Sequence, residues 1–136
     1  MFSVGVSDHC MVAHSFGDSF FGPAQRLHGA TYEVEVEVRS GALGIHHVVM
    51  DIGALRAIVR RVLDTVDYSN LDEHAAFPGR TSTTERLAEY LANEIAAALA
   101  TLAEGAKPVQ PAFLGVRLRE SPNFGARVRA QELLVA

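Results

Sequence analysis

The clearest pattern in the chain is a strict alternation of apolar and polar positions over residues 31–39. The apolar positions are Tyr32, Val34, Val36 and Val38, and the polar positions are Thr31, Glu33, Glu35, Glu37 and Arg39. Successive side chains of a β-strand point to opposite faces, so this alternation predicts a strand with one buried face. The glutamates are interpreted as the polar face of that strand, and no carboxylate site is assigned to them.

Four further strands are predicted from runs rich in β-branched and aromatic residues. They are residues 2–14, 43–50, 113–120 and 126–135. A Ser40-Gly41 turn separates residues 31–39 from residues 43–50, so these two strands are predicted to form a hairpin. Residues 15–26 contain two glycines and a proline and are predicted to be a loop.

Two amphipathic helices are predicted between the strands. The first begins after Asp51, and its apolar face is Ile52, Leu55, Val59, Val62 and Val66. The second begins at Ser82-Thr83-Thr84-Glu85, a capping-box pattern in which Ser82 caps the helix and Glu85 reaches back. Its apolar face is Leu87, Leu91, Ile95, Leu99 and Leu102, and Gly105 and Pro108 end it. This order predicts an α+β fold with a mostly antiparallel sheet and both helices on one face.

Length and composition narrow the class of protein. The 136 residues are expected to form one domain, residues 1–136. The net charge of −4 argues against a nucleic-acid partner. The chain has a single cysteine, Cys10, so it can form no internal disulfide and suits a reducing compartment. Cys10 shares a strand face with residues 12 and 14 and is interpreted as a core thiol. The chain has neither a signal-like N-terminus nor an apolar run long enough for a membrane span, so a cytoplasmic protein without a membrane partner is expected.

Two histidines at strand ends are candidate ligands. His14 ends the first strand, and His28 stands at the mouth of the strand over residues 31–39. Residues 28 and 30 point to the same face, but position 30 is Ala30, so one leg of a three-histidine zinc site is missing. His74, in the loop after Asp67, is one candidate third ligand. The alternative is that His14 and His28 are hydrogen-bonding or substrate-contacting imidazoles. No cofactor is therefore expected, and zinc stays open as the alternative.

Seven short motifs occur in one order along nearly the whole chain. They are Val12-Ala13-His14, Leu27-His28-Gly29-Ala30, Met50-Asp51-Ile52-Gly53-Ala54-Leu55, Leu63-Asp64-Thr65-Val66-Asp67-Tyr68, Asn70-Leu71-Asp72, Ser82-Thr83-Thr84-Glu85-Arg86-Leu87-Ala88 and Val116-Arg117-Leu118-Arg119-Glu120-Ser121. In this order and spacing they resemble the family of 6-pyruvoyltetrahydropterin synthase and 6-carboxytetrahydropterin synthase. The resemblance implies a T-fold whose subunits assemble into a trimeric barrel, usually stacked into a hexamer, with active sites at subunit boundaries.

The departures from the family fall on its reactive groups. Ala24 stands where the family has a nucleophilic cysteine, Ala30 replaces the third zinc histidine, and Tyr68 replaces the histidine of an Asp-His pair. The resemblance implies that Glu120 grips the amino-pyrimidinone edge of a pterin, and that Thr83 and Glu85 lie near the pocket. Glu85 counts for less here, because the capping box already explains it.

Three functional hypotheses follow. The first is a divergent member that binds a heterocyclic or polyfunctional small molecule and performs metal-independent acid–base or cyclisation chemistry. Its catalytic residues would be Asp67, Tyr68 and His28, with Tyr68 as a general acid, and its substrate-binding residues Glu120, Thr83 and His14. The second is a zinc-dependent synthase acting on dihydroneopterin triphosphate, with zinc on His14, His28 and an unusual third ligand. The third is a non-catalytic binding or scaffold subunit. Self-association into a trimer or hexamer is expected, and under the third hypothesis assembly with a catalytically competent paralogue is the alternative.

Overall fold

A five-stranded sheet organises the molecule. The computed structural model describes residues 1–102 and 113–129. The strands are β1 (Phe2–His14), β2 (His28–Ser40), β3 (Ser69–Asn70), β4 (Phe113–Ser121) and β5 (Phe124–Arg129), in the order β3-β1-β2-β4-β5. The short β3 pairs parallel with β1, and all other pairs are antiparallel. The predicted α+β class with a mostly antiparallel sheet is confirmed.

The predicted hairpin between residues 31–39 and 43–50 is wrong. Residues 41–50 form turns and bends, although Val49 and Met50 are buried. β2 pairs instead with β1 along its whole length, from Phe2 opposite Ser40 to His14 opposite His28, and its other edge pairs with β4. Both edges of β2 are therefore occupied, which leaves no edge for residues 43–50.

The two predicted helices are α1 (Ile52–Leu63) and α2 (Thr84–Ala100). Asp51 caps α1, since its Oδ1 accepts from the Gly53 N–H at 2.9 Å. The helix ends three residues before Val66, which is still buried in the turns that follow. Of the fifth predicted strand, β5 covers residues up to 129. Residues 130–136, and the expected helix stops Gly105 and Pro108, lie outside the described residues.

The predicted capping box at the start of α2 is also wrong. The N-cap is Thr83, whose Oγ1 accepts from the Arg86 N–H at 3.2 Å. Ser82 is fully buried and contacts His14 instead. Because the cap lies one residue later than predicted, Glu85 has no capping role.

Both helices cover one face of the sheet, as predicted. The buried side chains of β2 share a core with apolar residues of both helices, including Leu55, Leu87, Leu91 and Ile95. The opposite face is open and polar, with Glu33 and Glu35 exposed along β2. Within the described residues, no helix is long and apolar enough to cross a membrane.

Candidate functional site

His14 and His28 lie side by side at one end of the sheet. They are cross-strand partners, and their ring centroids are 4.6 Å apart. The Nδ1 atom of His14 lies 3.1 Å from the Ser82 carbonyl oxygen, and that of His28 lies 2.8 Å from the Arg26 carbonyl oxygen. A carbonyl oxygen only accepts, so each Nδ1 donates its N–H, and in the neutral ring Nε2 then keeps its lone pair. The site therefore contains two neighbouring basic ring nitrogens.

Burial keeps the inner histidine neutral. His14 is 1% exposed, and burial is the main cause that lowers its pKa from the ordinary value. The proximity of His28 lowers the pKa further, while the bond to the Ser82 carbonyl and the charge of Asp72 oppose the shift. Near neutral pH His14 is thus an acceptor of a proton or hydrogen bond rather than a cation.

The loop between β3 and α2 fixes the end of β1 that carries His14. The Ser15 N–H and hydroxyl both donate to the Asp72 carboxylate, at 2.9 and 2.5 Å. Arg80 donates to the Ser15 hydroxyl at 3.1 Å. A Cβ at Gly17 would lie only 2.9 Å from the Gly79 carbonyl oxygen, so the two loops meet backbone to backbone there. Sequence reasoning missed these supports: Asp72 belongs to the Asn70-Leu71-Asp72 motif, but no local pattern indicates that it contacts Ser15, 57 residues away.

Aromatic rings lie against the histidine pair. The Phe16 ring centroid is 4.8 Å from that of His14 and 5.8 Å from that of His28, and Phe21 packs on Phe16 at 4.6 Å. The Phe16 N–H donates to the Ala24 carbonyl oxygen at 3.1 Å, which folds residues 16–24 back over the strand end. These rings provide an apolar surface beside the two basic nitrogens.

Glu120 is on β4, at the position opposite Tyr32, which follows Ala30 by two residues on β2. Glu33 is opposite Arg119, so the register carries Glu120 to the position opposite Tyr32. Tyr32 is fully buried, and its hydroxyl is 3.3 Å from Thr84 Oγ1. The pKa of Tyr32 is raised to about 12, mainly by burial; the hydrogen bond to Thr84 opposes the shift, and the charges of Glu120 and Glu85 add to it. In the part of the chain that the structure describes, neither glutamate belongs to an ion pair within 4.0 Å.

Asp67 and Tyr68 have different surroundings from each other. Asp67 accepts from the Met11 N–H at 2.9 Å and from Arg60 at 2.8 Å, so both of its oxygens tie β1 to α1. Tyr68 has a positive φ of 56° and donates its N–H to the Met11 carbonyl oxygen at 2.7 Å, while its side chain is 82% exposed. The structure gives Asp67 a bridging position and directs the Tyr68 ring to the surface of the subunit.

The histidine pair falls short of the zinc site that the resemblance implies. Among residues 1–102 and 113–129, no three His, Cys, Asp or Glu residues are grouped closely enough to hold a metal ion. His74 packs against Phe77 and Tyr90, and its Nδ1 accepts from the Ala76 N–H at 3.1 Å. Two imidazoles alone fall short of the three protein ligands of a catalytic zinc site. The described residues therefore lack the third ligand of such a site.

Cys10 is a core residue, as interpreted from the sequence. It is fully buried opposite Tyr32, and burial raises its pKa to about 12, with Asp67 as the second cause. A thiol with such a pKa carries almost no thiolate at neutral pH, which is the reactive form.

Comparison with known proteins gives a family and a fold. The sequence model of 6-pyruvoyl tetrahydropterin synthase matches residues 3–131. The solved structure of 6-pyruvoyl tetrahydropterin synthase from Caenorhabditis elegans is similar, with a TM-score of 0.78, 22% identity and 95% of each chain covered. That of the Plasmodium vivax synthase has a TM-score of 0.66 and 22% identity, over 94% of this chain and 96% of that one.

An uncharacterized protein from Wolinella succinogenes has the same fold at 14% identity, with a TM-score of 0.66 over 95% of this chain and 98% of that one. A search of curated protein sequences found no match.

Proposed function

Because the chain belongs to the 6-pyruvoyl tetrahydropterin synthase family, we propose that it binds a planar nitrogen heterocycle where His14, His28 and Glu120 lie, and acts on it by metal-independent acid–base chemistry. The observation that carries the proposal is the pair of imidazoles, each anchored through Nδ1 and each with a free Nε2 lone pair. The reaction class is a lyase, isomerase or cyclase step.

Glu120 is the recognition residue in this proposal. It makes no ion pair in the described chain, and its charge is one of the causes that raise the pKa of the buried Tyr32. One carboxylate can accept two parallel N–H bonds from an amino-pyrimidinone edge, a contact that selects for geometry as well as charge. The rings of Phe16 and Phe21 add an apolar surface on which a planar ligand can lie.

The histidine pair moves the proton. His28 is the more exposed of the two rings, so its Nε2 would accept the proton from the substrate, while burial keeps the neighbouring His14 neutral. Two imidazolium rings 4.6 Å apart would repel each other, so the pair is expected to hold one proton at a time and to return it later in the cycle. Thr83 serves as the helix cap, and a role in substrate binding would use its O–H or its remaining lone pair.

Tyr68 supplies the general acid across a subunit boundary in this proposal. Its ring is exposed, and its left-handed backbone is a conformation that non-glycine residues adopt rarely. Asp67 holds that backbone against β1 rather than handling protons. We therefore assign Asp67 a positioning role and Tyr68 a role in the neighbouring subunit's site.

The assembly we propose is a ring of subunits joined through sheet edges. β3 pairs with β1 only at Val12 and Ala13, so among the described residues most of the outer edge of β1 is unpaired. β5 is the strand at the other edge of the sheet. Pairing β1 of one copy with β5 of the next would remove both edges and close a barrel. Native mass spectrometry should then give masses in multiples of three subunits, and a monomer would contradict the assembly.

Fluorescence titration with pterin tests the binding site. Glu120→Gln keeps the shape of the side chain but removes the charge, and is expected to weaken pterin binding by tenfold or more, about 1.4 kcal/mol. Glu33→Gln, on the open face, is the matched control and should bind as the wild type does. Equal affinity in both variants would contradict the assignment of Glu120.

Turnover tests the chemistry separately. If a substrate is found, Tyr68→Phe and His28→Gln should reduce its conversion while leaving pterin binding measurable. Binding without conversion by the wild-type protein would instead support the non-catalytic subunit. Wild-type turnover in both Tyr68→Phe and Glu120→Gln would remove the basis for the site.

A second candidate function is the zinc-dependent reaction, and one observation favours it. Metal-ligating histidines usually donate their other ring N–H to a carbonyl or carboxylate, as His14 and His28 do. Elemental analysis should find about one zinc per chain if a further ligand exists. Ala30→His is expected to raise zinc affinity by adding the third imidazole on the same face, whereas Thr31→His, on the opposite face, is not.

A further inference from the structure

A groove lies between α2 and the loop that precedes this helix. Its volume is about 440 Å³, within the range of small-molecule sites. The residues that give it its chemistry are Phe77, Pro78, Arg86, Glu89, Tyr90 and Asn93. None of His14, His28 and Glu120 lines it, so it does not depend on the function proposed above.

Aromatic rings form the base of the groove. Phe77 is only 2% exposed, and its ring centroid is 5.5 Å from that of Tyr90, in an edge-to-face arrangement. The His74 ring packs against both, at 5.4 Å from Phe77 and 5.3 Å from Tyr90. Edge-to-face contacts of this kind are favourable for aromatic side chains, so the three rings hold one another in place.

A hydrogen-bond chain fixes the orientation of Tyr90. Thr65 Oγ1 donates to the Val62 carbonyl oxygen at 2.7 Å and lies 2.8 Å from the Tyr90 hydroxyl oxygen. A threonine hydroxyl has one proton, which goes to the Val62 carbonyl, so the Tyr90 hydroxyl donates in the second contact. The Tyr90 ring is therefore held in the groove without help from a ligand.

The rim of the groove carries one positive and one negative charge side by side. Arg86 and Glu89 are three residues apart on α2, and Arg86 Nη1 lies 3.2 and 3.1 Å from the two Glu89 carboxylate oxygens. The side chains are 63% and 53% exposed, so their pairing contributes little to stability and opens at small cost. Within the described residues, neither has another ion-pair partner within 4.0 Å.

These two charges select the class of ligand. An anion paired with Arg86 would leave Glu89 uncompensated beside it, and a cation paired with Glu89 would do the same to Arg86. A molecule with an ammonium and a carboxylate group on one carbon compensates both charges at short range, where attraction is strongest. Asn93 is two turns, about 10.5 Å, along the helix from Arg86, which leaves room for a side chain over the rings.

We propose that this groove binds an α-amino acid with an aromatic side chain. The ligand carboxylate pairs with Arg86, its ammonium group pairs with Glu89, and its ring lies against Phe77 and Tyr90. Asn93 offers both a donor and an acceptor at the far end, where a polar ring atom such as an indole N–H would arrive. The charges therefore fix one end of the ligand, and the rings fix the other.

Fluorescence anisotropy of L-tryptophan tests the site directly. The chain contains no tryptophan, and excitation at the red edge of indole absorption avoids its three tyrosines, so the emission reports on the ligand. Protein titrated into L-tryptophan should raise the anisotropy to saturation. Arg86→Gln and Glu89→Gln are each expected to weaken binding by tenfold or more.

The matched control is Glu94→Gln, at an exposed carboxylate of the same helix that does not line the groove. This variant should bind L-tryptophan as the wild type does. The absence of saturable binding by the wild type, or an equal loss in the control, would overturn the proposal.

Three analogues test what the groove recognises. Indole-3-propionate lacks the amine and tryptamine lacks the carboxylate, and each is expected to bind at least tenfold more weakly than L-tryptophan. Equal affinity for either would overturn the pairing of both charges. L-Alanine keeps the charges but has no ring, so efficient displacement of L-tryptophan by L-alanine would overturn the role of the rings.

Two further measurements separate this groove from the fold and from the histidine site. Because Arg86 and Glu89 are exposed, the melting temperatures of their variants should equal that of the wild type. Weaker L-tryptophan binding with a lower melting temperature in both variants would overturn the assignment, since it would indicate a structural ion pair. Pterin affinity should also be unchanged in both variants, and a parallel loss would contradict a separate site.

Discussion

Along β2, residues 34–38 and residues 28–32 follow the same alternation but bury different chemistry. In the first segment the inward side chains are Val34, Val36 and Val38, which belong to the core shared with the helices. In the second segment they are His28, Ala30 and Tyr32, and this end of the sheet is covered by loops and by the first residues of α2. The interior of a helix offers no free backbone polar groups, whereas loops and helix ends do. What covers a strand therefore decides whether its buried face can carry polar groups.

The largest expected effect lies under the helices. Leu118 on β4 is fully buried opposite Val34, and Leu118→Ala should lower the free energy of unfolding by about 2–5 kcal/mol through lost burial and a cavity. Urea denaturation measures the change. Glu33→Ala, on the exposed face of the neighbouring strand, is the control and should change stability by less than about 0.5 kcal/mol. A loss below about 1 kcal/mol at Leu118 would show that this segment is not the tightly packed core.

Local pattern predicted which face of each strand is buried, but not what each strand pairs with. Residues 31–39 alternate so clearly that the strand and its inner face were recoverable from sequence. The partners of that strand were not recoverable. β1 and β4 occupy its two edges, and their distance along the sequence leaves no local signal of the pairing, so residues 43–50 were wrongly predicted to pair there. Pairing depends on the whole sheet, which a turn such as Ser40-Gly41 does not encode.

The site shows the same limit at the level of single residues. His14 and His28 were recoverable as strand-end imidazoles, and the register brings them together. Their supports were not recoverable. Ser82 matched a capping pattern, but its carbonyl oxygen and its hydroxyl both lie within hydrogen-bond distance of His14 Nδ1, and Thr83 is the cap. A local motif was outcompeted by a contact 68 residues away in sequence. Because Thr83 rather than Ser82 is the cap, Glu85 has no capping role, and the capping box does not explain its presence.

The next effect concerns the polar contacts that hold the loop-covered end. Asp67→Ala removes the acceptor of the Met11 N–H and the partner of Arg60 together, so the free energy of unfolding should fall by about 1.5–3 kcal/mol. Asp67→Asn keeps an acceptor for the Met11 N–H and should cost less. Asp64→Asn, an exposed partner of the same arginine, should cost no more than about 1 kcal/mol. Equal losses at Asp64 and Asp67 would contradict the bridging role of Asp67.

A smaller effect is expected at Tyr32, where the loop-covered segment of β2 meets the segment under the helices. Tyr32→Phe deletes the hydroxyl that contacts Thr84 Oγ1 and should cost about 0.5–1.5 kcal/mol in denaturation at pH 7. The pKa of Tyr32 is raised to about 12, so the unfolded chain releases this proton first. Wild-type stability should therefore fall as pH rises above 10, and Tyr32→Phe should lessen that fall. An identical alkaline decline in both proteins would show that the phenol is not held neutral by burial.

The smallest expected effect is an acid dependence carried by His14. Burial, and next His28, lowers its pKa in the folded chain, so below pH 6.5 the unfolded chain binds a proton that the folded chain still refuses. The free energy of unfolding should therefore decrease as pH falls from 7.5 to 5.5. His14→Gln should reduce this difference, while His9→Gln, at an exposed ring, should leave it in place. If His14→Gln leaves the difference unchanged, the acid sensitivity belongs to other groups, and the loop-covered end tolerates a charged imidazole. The inward side chains of residues 34–38 are valines, which do not titrate, so the change produced by His14→Gln reports on the buried chemistry that distinguishes the two segments.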